Sequence, residues 1–575
     1  MFKMNQLRGI QLPSPRFKSS PLPNELLSVN GYSHLQTFFP TLTKLLRLGS
    51  WNPKDEIWMD TIWRVCSIDC SGTSGPCMVK LAKNTDVSGV EQLETTPAYL
   101  KVAHLLDPIQ WIQGEYALPK ESGLPWHPRG LQKTWQKLQD PGNQAYIDTI
   151  CSYAVGRIRE KDLSPHFNLF YGAFCARASK YRYNLTDEFQ SYRKESWLWG
   201  GLKRGRFEFK VINKFDPSEP VPEDILKDLL EEVNDCSSLK SDILDMIDIK
   251  EIDSCSIHSD SMSDVVFESV EADAKSDTNK SGSHVESQSG SGSLDSSDSE
   301  SEYAIYAEFN DYPVMTIITE KNDDTMDMLF EDFKEVGAVP GTSGWTKRWT
   351  AWIFQIVAAL SVAQSILGFT HNDLHSNNIV WSRTEDKFLT YKLRSGMHFK
   401  VPTYGKVFRI IDYGRAIFRI NGQRFISDDF KKGNDADGQY VFQPLVQKFT
   451  KEIPPNASFD LARLTVSIID GIFPKKPSVK SGGDILSKEP GLIVYETTSE
   501  LYNLLWSWMI DDEGKNIFIN PGGSERFPDF DLYKHIAEFI HGAVPCKQFF
   551  TAAFQLFRVD EEKIVEGEKV YSLFC

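Results

Sequence analysis

Two polar turns, each set against an apolar run, constrain this chain more than any other feature. The first is His371-Asn372-Asp373-Leu374-His375-Ser376-Asn377-Asn378, which leads into Ile379-Val380-Trp381. The second is Asp412-Tyr413-Gly414-Arg415, which closes Val407-Phe408-Arg409-Ile410-Ile411. A long helix over Trp345 to Leu367 is expected just before the first turn. Gln355, Ser361, Gln364 and Ser365 interrupt its apolar run, so a buried helix fits better than a membrane span. Both turns therefore place carboxylates at the ends of apolar strands in one half of the chain.

The 575 residues exceed one hydrophobic core and point to two or more lobes. The net charge of −16 is unevenly spread: Asp216 to Glu302 holds 24 acidic and 5 basic residues, so the remainder sums to about +3. That segment is rich in Ser, Asp and Gly and has one aromatic residue, Phe267, too little apolar surface to offset the entropy of ordering. It is expected to be a largely disordered insert, with a short helix over 222–233 and a capacity to dock a basic partner. The nine cysteines are scattered without a C-x-x-C pair, which supports neither a zinc ribbon nor a disulfide framework and suggests a reducing, intracellular setting. No apolar leader opens the sequence, and neither a nucleic-acid nor a membrane partner is expected.

Before the insert, WRVCSID (63–69), CMVKLA (77–82), AYLKVA (98–103) and FNLFYGAFCA (167–176) have the pattern of strands, and 143–159 that of a helix after the start signal DPGN. After it, YPVMTIITE (312–320) is a buried-strand candidate, and helices are expected over 499–510 and 532–540 in a mostly helical remainder. Strands early and helices late make an α+β protein.

Phosphoryl transfer needs a carboxylate to orient the attacking hydroxyl and oxygen ligands for the Mg²⁺ that bridges nucleotide phosphates. H-x-D-L-x-x-x-N, a strand, then D-aromatic-G supplies both on adjacent loops. Here the sequence resembles the protein-kinase superfamily. YIDTICSYAVGRI, SPHFNLFYG and VPTYGKVFRIIDYGRA are similar to kinase-like proteins of nucleocytoplasmic large DNA viruses, and the H-N-D-L-H loop with the I-I-D-Y turn to haspin-type kinases. The resemblance implies a bilobal protein-kinase-like fold, with a small antiparallel sheet lobe and a larger helical lobe. The implied divisions are an extension (1–60), the first part of the sheet lobe (61–215), the insert (216–302), a last strand and hinge (303–325) and the helical lobe (326–575). It implies ATP and Mg²⁺ as cofactors, a protein Ser/Thr as acceptor, and, for a viral protein, host cytoplasm or virion as location.

Carried over residue by residue, Asp373 is the catalytic aspartate, and Asn378 and Asp412 are the metal ligands. A phosphate-contacting lysine is expected at Lys101, with Lys80 as the other choice, and Asp148 takes the place of the helix acid that holds it. Aspartate is one methylene shorter than the usual glutamate, so the pair demands closer approach. SGTSG (71–75) is either the phosphate loop, through Gly72 and Gly75, or an ordinary hairpin turn. Thr319 and Glu320 would lie at the adenine hinge. Asp460 in SFDLARLTVSIID is expected to be buried against the catalytic-loop backbone, or paired locally with Arg463.

Four departures bear on function. Asn372 stands where many kinases have an arginine that contacts a phosphorylated activation segment, so activity is expected not to need that phosphate. His375 replaces a lysine common in serine/threonine kinases, and residues 382–406 form an additional hairpin between the two motifs. No A-P-E triplet follows. The same loop resembles that of aminoglycoside and choline phosphotransferases, which leaves a small-molecule acceptor as one alternative and a pseudokinase scaffold as another.

Overall fold

The computed structural model describes residues 17–21, 31–46, 55–70, 73–83, 93–118, 124–125, 131–214, 221–222, 225 and 303–575. The acidic insert, the helix expected over 222–233 and Gly72 fall outside them, apart from 221–222 and 225.

The sheet is built from β1 (Tyr32–Gln36), β2 (Trp63–Cys70), β3 (Gly75–Lys83) and β4 (Leu93–His104). After helix α1 (Gln144–Glu160) come β5 (Phe170–Asn184), β6 (Glu208–Asn213) and β7 (Tyr303–Glu320). All seven strands form one antiparallel sheet in the order β1-β5-β7-β4-β3-β2, with β6 paired to the early part of β7. The sheet curls until its far edge returns: a Cβ on Gly172 of β5 would lie 3.0 Å from Val65 of β2. Helix α1 packs close against β5 for a similar reason. A Cβ on Gly156 would meet the Phe170 backbone nitrogen at 3.2 Å, tighter than ordinary contact, so glycine permits this approach without displacing the strand. Its start is capped by Asn143, whose side chain accepts from the Ala145 amide at 3.1 Å.

Helix α2 (Ser343–Leu367) opens on the Thr342 cap and stops at Gly368 in the left-handed conformation (φ 58°), as glycine permits. It is long and apolar enough to cross a membrane, yet it is buried inside the protein. Trp345, Trp349 and Trp352 recur at helical spacing, pack tilted and then edge-on at 5.5 and 5.3 Å, and Trp352 meets Phe408 at 5.4 Å. Beyond α2 the chain holds more strand than the sequence pattern suggests. Strands β8 (Ile379–Arg383) and β11 (Lys406–Ile410) pair with each other, and between them β9 (Phe388–Lys392) and β10 (His398–Pro402) form the additional hairpin. Helices α3 (Phe459–Ile472), α4 (Glu500–Trp508) and α5 (Asp531–Phe539) follow. Strands β12 (Arg558–Val559) and β13 (Val570–Ser572) then extend the β9–β10 hairpin into four strands. The expectation of no disulfide is corrected: Cys546 and Cys575 are bonded, 29 residues apart. Their meeting depends on β13 joining β9, a long-range pairing that cysteine spacing does not reveal.

Candidate active site

Three elements from distant parts of the chain meet at Lys101. It lies on β4 opposite Ile317 of β7, and its ammonium touches Asp148 on α1 at 2.7 Å and Asp412 at 2.8 Å. Burial alone would lower the lysine pKa, but the two carboxylates reverse this and raise it, so the group stays a cation. Asp148 is buried and does two jobs. One oxygen binds Lys101, and the other accepts the Tyr413 backbone amide at 3.0 Å and the Ser152 hydroxyl at 3.3 Å. Lys80, by contrast, sits on β3 opposite Thr95.

The turn after α2 is held from below. Asp460, fully buried on α3, accepts the His371 amide at 3.0 Å and the Asn372 amide at 2.9 Å. Burial raises its pKa against the pull of these donors. Arg463 does not pair with it and donates instead to the Tyr533 hydroxyl at 2.9 Å. His371 donates from Nε2 to the Ile411 carbonyl at 2.9 Å, joining this turn to the second one. Asn372 and Asp412 both take positive φ, 68° and 64°, which short polar side chains tolerate. Asn372 occupies the arginine position as a neutral clamp: it donates to the Arg415 carbonyl at 2.8 Å and accepts from Tyr440 at 2.6 Å.

Asp373 presents its carboxylate to a cationic surround. Oδ1 accepts from the Tyr533 hydroxyl at 2.8 Å, and Oδ2 lies 3.9 Å from the Arg415 guanidinium. Burial would raise its pKa, but the Arg415 and Arg463 guanidinium groups and the Tyr533 hydrogen bond hold it below the usual carboxylate range. The sequence offered no sign of Tyr533, which lies 160 residues away on α5. Burial lowers the His375 pKa, and its Nε2 faces the Asn378 amide group at 3.0 Å, an arrangement that suits a neutral ring accepting a hydrogen bond.

A divalent ion on nucleotide phosphates needs hard oxygen ligands. Asn378 commits its Nδ2 to the Asp373 carbonyl at 2.9 Å and to His375, and Asp412 gives Oδ1 to Lys101. Asn378 Oδ1 and Asp412 Oδ2 are the oxygens that would hold such an ion. Among the described residues no group of three or more His, Cys, Asp and Glu forms a metal centre by itself. Two protein oxygens completed by phosphate and water suit Mg²⁺.

The remaining sequence candidates lie nearby with their own partners. Gly75 opens β3 with φ 96°, pairs with Leu100 beside Lys101, and follows a turn tied to the Tyr32 hydroxyl through the Thr73 carbonyl. Thr319 and Glu320 end β7 inside the ladder. The Glu320 amide donates to the Leu169 carbonyl at 3.0 Å, and its carboxylate lies 3.4 Å from Arg409.

No protein-family model matches the chain. Over 61 residues, 11% of its length, it is 43% identical to the serine/threonine-protein kinase haspin of Mus musculus and, to the same extent, of Bos taurus. The matched stretch spans 8% of each of those proteins. Over that stretch the chain is kinase-like.

Proposed function

We propose that this chain is a bilobal, protein-kinase-like phosphotransferase that moves the γ-phosphoryl group of ATP, with Mg²⁺, to a Ser or Thr hydroxyl of a protein. The observation that carries the reading is the Lys101 ammonium held between Asp148 and Asp412, with Asp148 also fixing the Tyr413 amide. One residue thereby sets the lysine from the sheet and the metal-facing aspartate from the helical half. The local likeness to a serine/threonine kinase supports a protein acceptor. Bound Mg²⁺ would neutralise charge on the transferring phosphate.

The protein's own part is positioning and electrostatics. Lys101 is a permanent cation for the α- and β-phosphate oxygens. Asp373, held ionised by its neighbours, is a poor proton acceptor and a good hydrogen-bond acceptor, so it orients the hydroxyl rather than pulling its proton early. The test is incubation with labelled ATP and Mg²⁺ beside a protein panel and a choline and aminoglycoside panel. Label on protein Ser or Thr, lost in Asp412→Ala, is expected. Label on small molecules alone, or none anywhere, overturns the reading.

A further inference from the structure

Cys70 ends β2 and Cys77 lies near the start of β3, and the two are direct cross-strand partners at the mouth of the turn that contains Thr73 and leads into Gly75. Both are free thiols. Directly opposed residues in an antiparallel pair have Cα atoms ~4.5–5.5 Å apart, inside the ~4.4–6.8 Å that a disulfide spans. Cys77 pairs on its other side with Ala98, and alternation puts it on the face of Leu100, opposite the Lys101 side chain. The thiols therefore sit behind the turn and outside the cleft. Cys70 is half-buried and reachable by a small oxidant, whereas Cys77 is buried.

We propose that Cys70 and Cys77 form a reversible disulfide, driven by a peroxide, that closes this turn and weakens nucleotide binding. The second effect rests on the function proposed above. The thiols already interact: a hydrogen bond between them, with burial, raises the Cys70 pKa, and the same bond lowers that of Cys77. One of the two thiols, as its thiolate, attacks one peroxide oxygen, the O–O bond breaks, and a sulfenic acid forms as water leaves. The other sulfur then displaces the sulfenic oxygen, which departs as a second water with that thiol's proton. Two thiols and one peroxide become one disulfide and two waters. The bond would fix the spacing of the two strand ends beside β4, where Gly75 pairs with Leu100 next to Lys101.

The test uses the full chain, oxidised with hydrogen peroxide, alkylated and cut by trypsin without reduction. Cleavage after Arg64 and Lys80 releases residues 65–80, which carry Cys66, Cys70 and Cys77. The expected peptide is two hydrogens lighter, with one alkyl group, on Cys66. Dithiothreitol restores three alkylation sites, and Cys70→Ser or Cys77→Ser prevents the loss. Three alkyl groups after oxidation, or a bond that includes Cys66, overturns the proposal. ATP affinity is expected to fall at least threefold on oxidation and to recover on reduction, and an unchanged affinity with the bond formed overturns the coupling. Reduced protein that binds no ATP while the bond still forms counts against the function and leaves the disulfide standing.

Discussion

Asp373 carries its charge because three side chains from other segments surround it. Arg415 follows the second motif, Arg463 lies on α3 and Tyr533 on α5. Removing the Tyr533 hydroxyl takes away a hydrogen bond that favours the ionised form. Tyr533→Phe is therefore expected to raise the Asp373 pKa, move the acid limb of the kcat profile to higher pH, and lower kcat about tenfold at neutral pH, the scale of one hydrogen bond to a charged group. An unchanged KM for ATP separates this positioning role from general damage to the fold. Asp429 offers a second titration. Burial, with Asp435 beside it, pushes its carboxyl up to about 8 although Arg415 lies 3.6 Å away. Between the usual carboxylate range and pH 8 the unfolded chain releases this proton and the native chain keeps it, so stability falls as pH rises through that window. Asp429→Asn is expected to flatten this slope in denaturation midpoints from pH 5 to 8; parallel curves for both proteins would remove Asp429 as its source. Asp373, Asn378 and Asp412 were legible because each sits in a short motif beside an apolar strand. Tyr533 was not, because nothing local to α5 records which loop it meets.

At the scale of elements, the segment after Asp412 is fastened to α1 by ion pairs and hydrogen bonds of its own. Asp428, buried, accepts the Gln144 amide at 3.0 Å in the first turn of α1 and the Lys137 ammonium at 2.5 Å. Its own amide donates to the Gly142 carbonyl at 2.6 Å, and Lys431 pairs with Asp140. A carboxylate at a helix start is favoured by the unpaired amides there. Since α1 carries Asp148 one turn beyond Gln144, this clamp fixes the end of the helix that makes the Lys101 contact. Asp428→Ala leaves the Lys137 charge buried without its partner and is expected to cost ~3 kcal/mol, seen as a lower denaturation midpoint, with a larger loss in kcat than in ATP affinity. Phosphatase-treated wild type should keep its turnover, and loss of all activity on that treatment would show that Asp428 and Asn372 do not replace a phosphate. The strands of the sheet and helices α1 and α2 were visible in the sequence because their apolar period is regular. β1, β6, β12 and β13 were not: short segments gain their partners only from the finished sheet.

For the molecule as a whole, the hairpin between the two motifs acts as a brace behind the cleft. His166, just beyond α1, donates or accepts at both ends: Nδ1 meets the Phe408 carbonyl at 2.8 Å and Nε2 the Tyr391 hydroxyl at 2.8 Å. Burial lowers its pKa to about 3, so the ring is neutral at any working pH and the link does not titrate. Phe354 of α2 packs on Tyr391, Phe399, Phe549 and Phe554 at 5.0–5.3 Å, which seats the hairpin and the segment after α5 on the same helix. β13 then runs parallel to β9, and the Cys546–Cys575 bond ties its end back beside Ser361 on α2. The bond closes a loop whose entropy in the unfolded chain is worth about 3 kcal/mol by the chain-entropy account. Cys546→Ser is thus expected to lower the denaturation midpoint of oxidised protein by that order while kcat stays within twofold, because no catalytic group touches the brace. Dithiothreitol should bring wild type down to the variant and leave the variant unmoved. Identical unfolding of the two proteins without reductant would mean that packing on Phe354 alone secures β13, and that the covalent tie adds nothing to the scaffold.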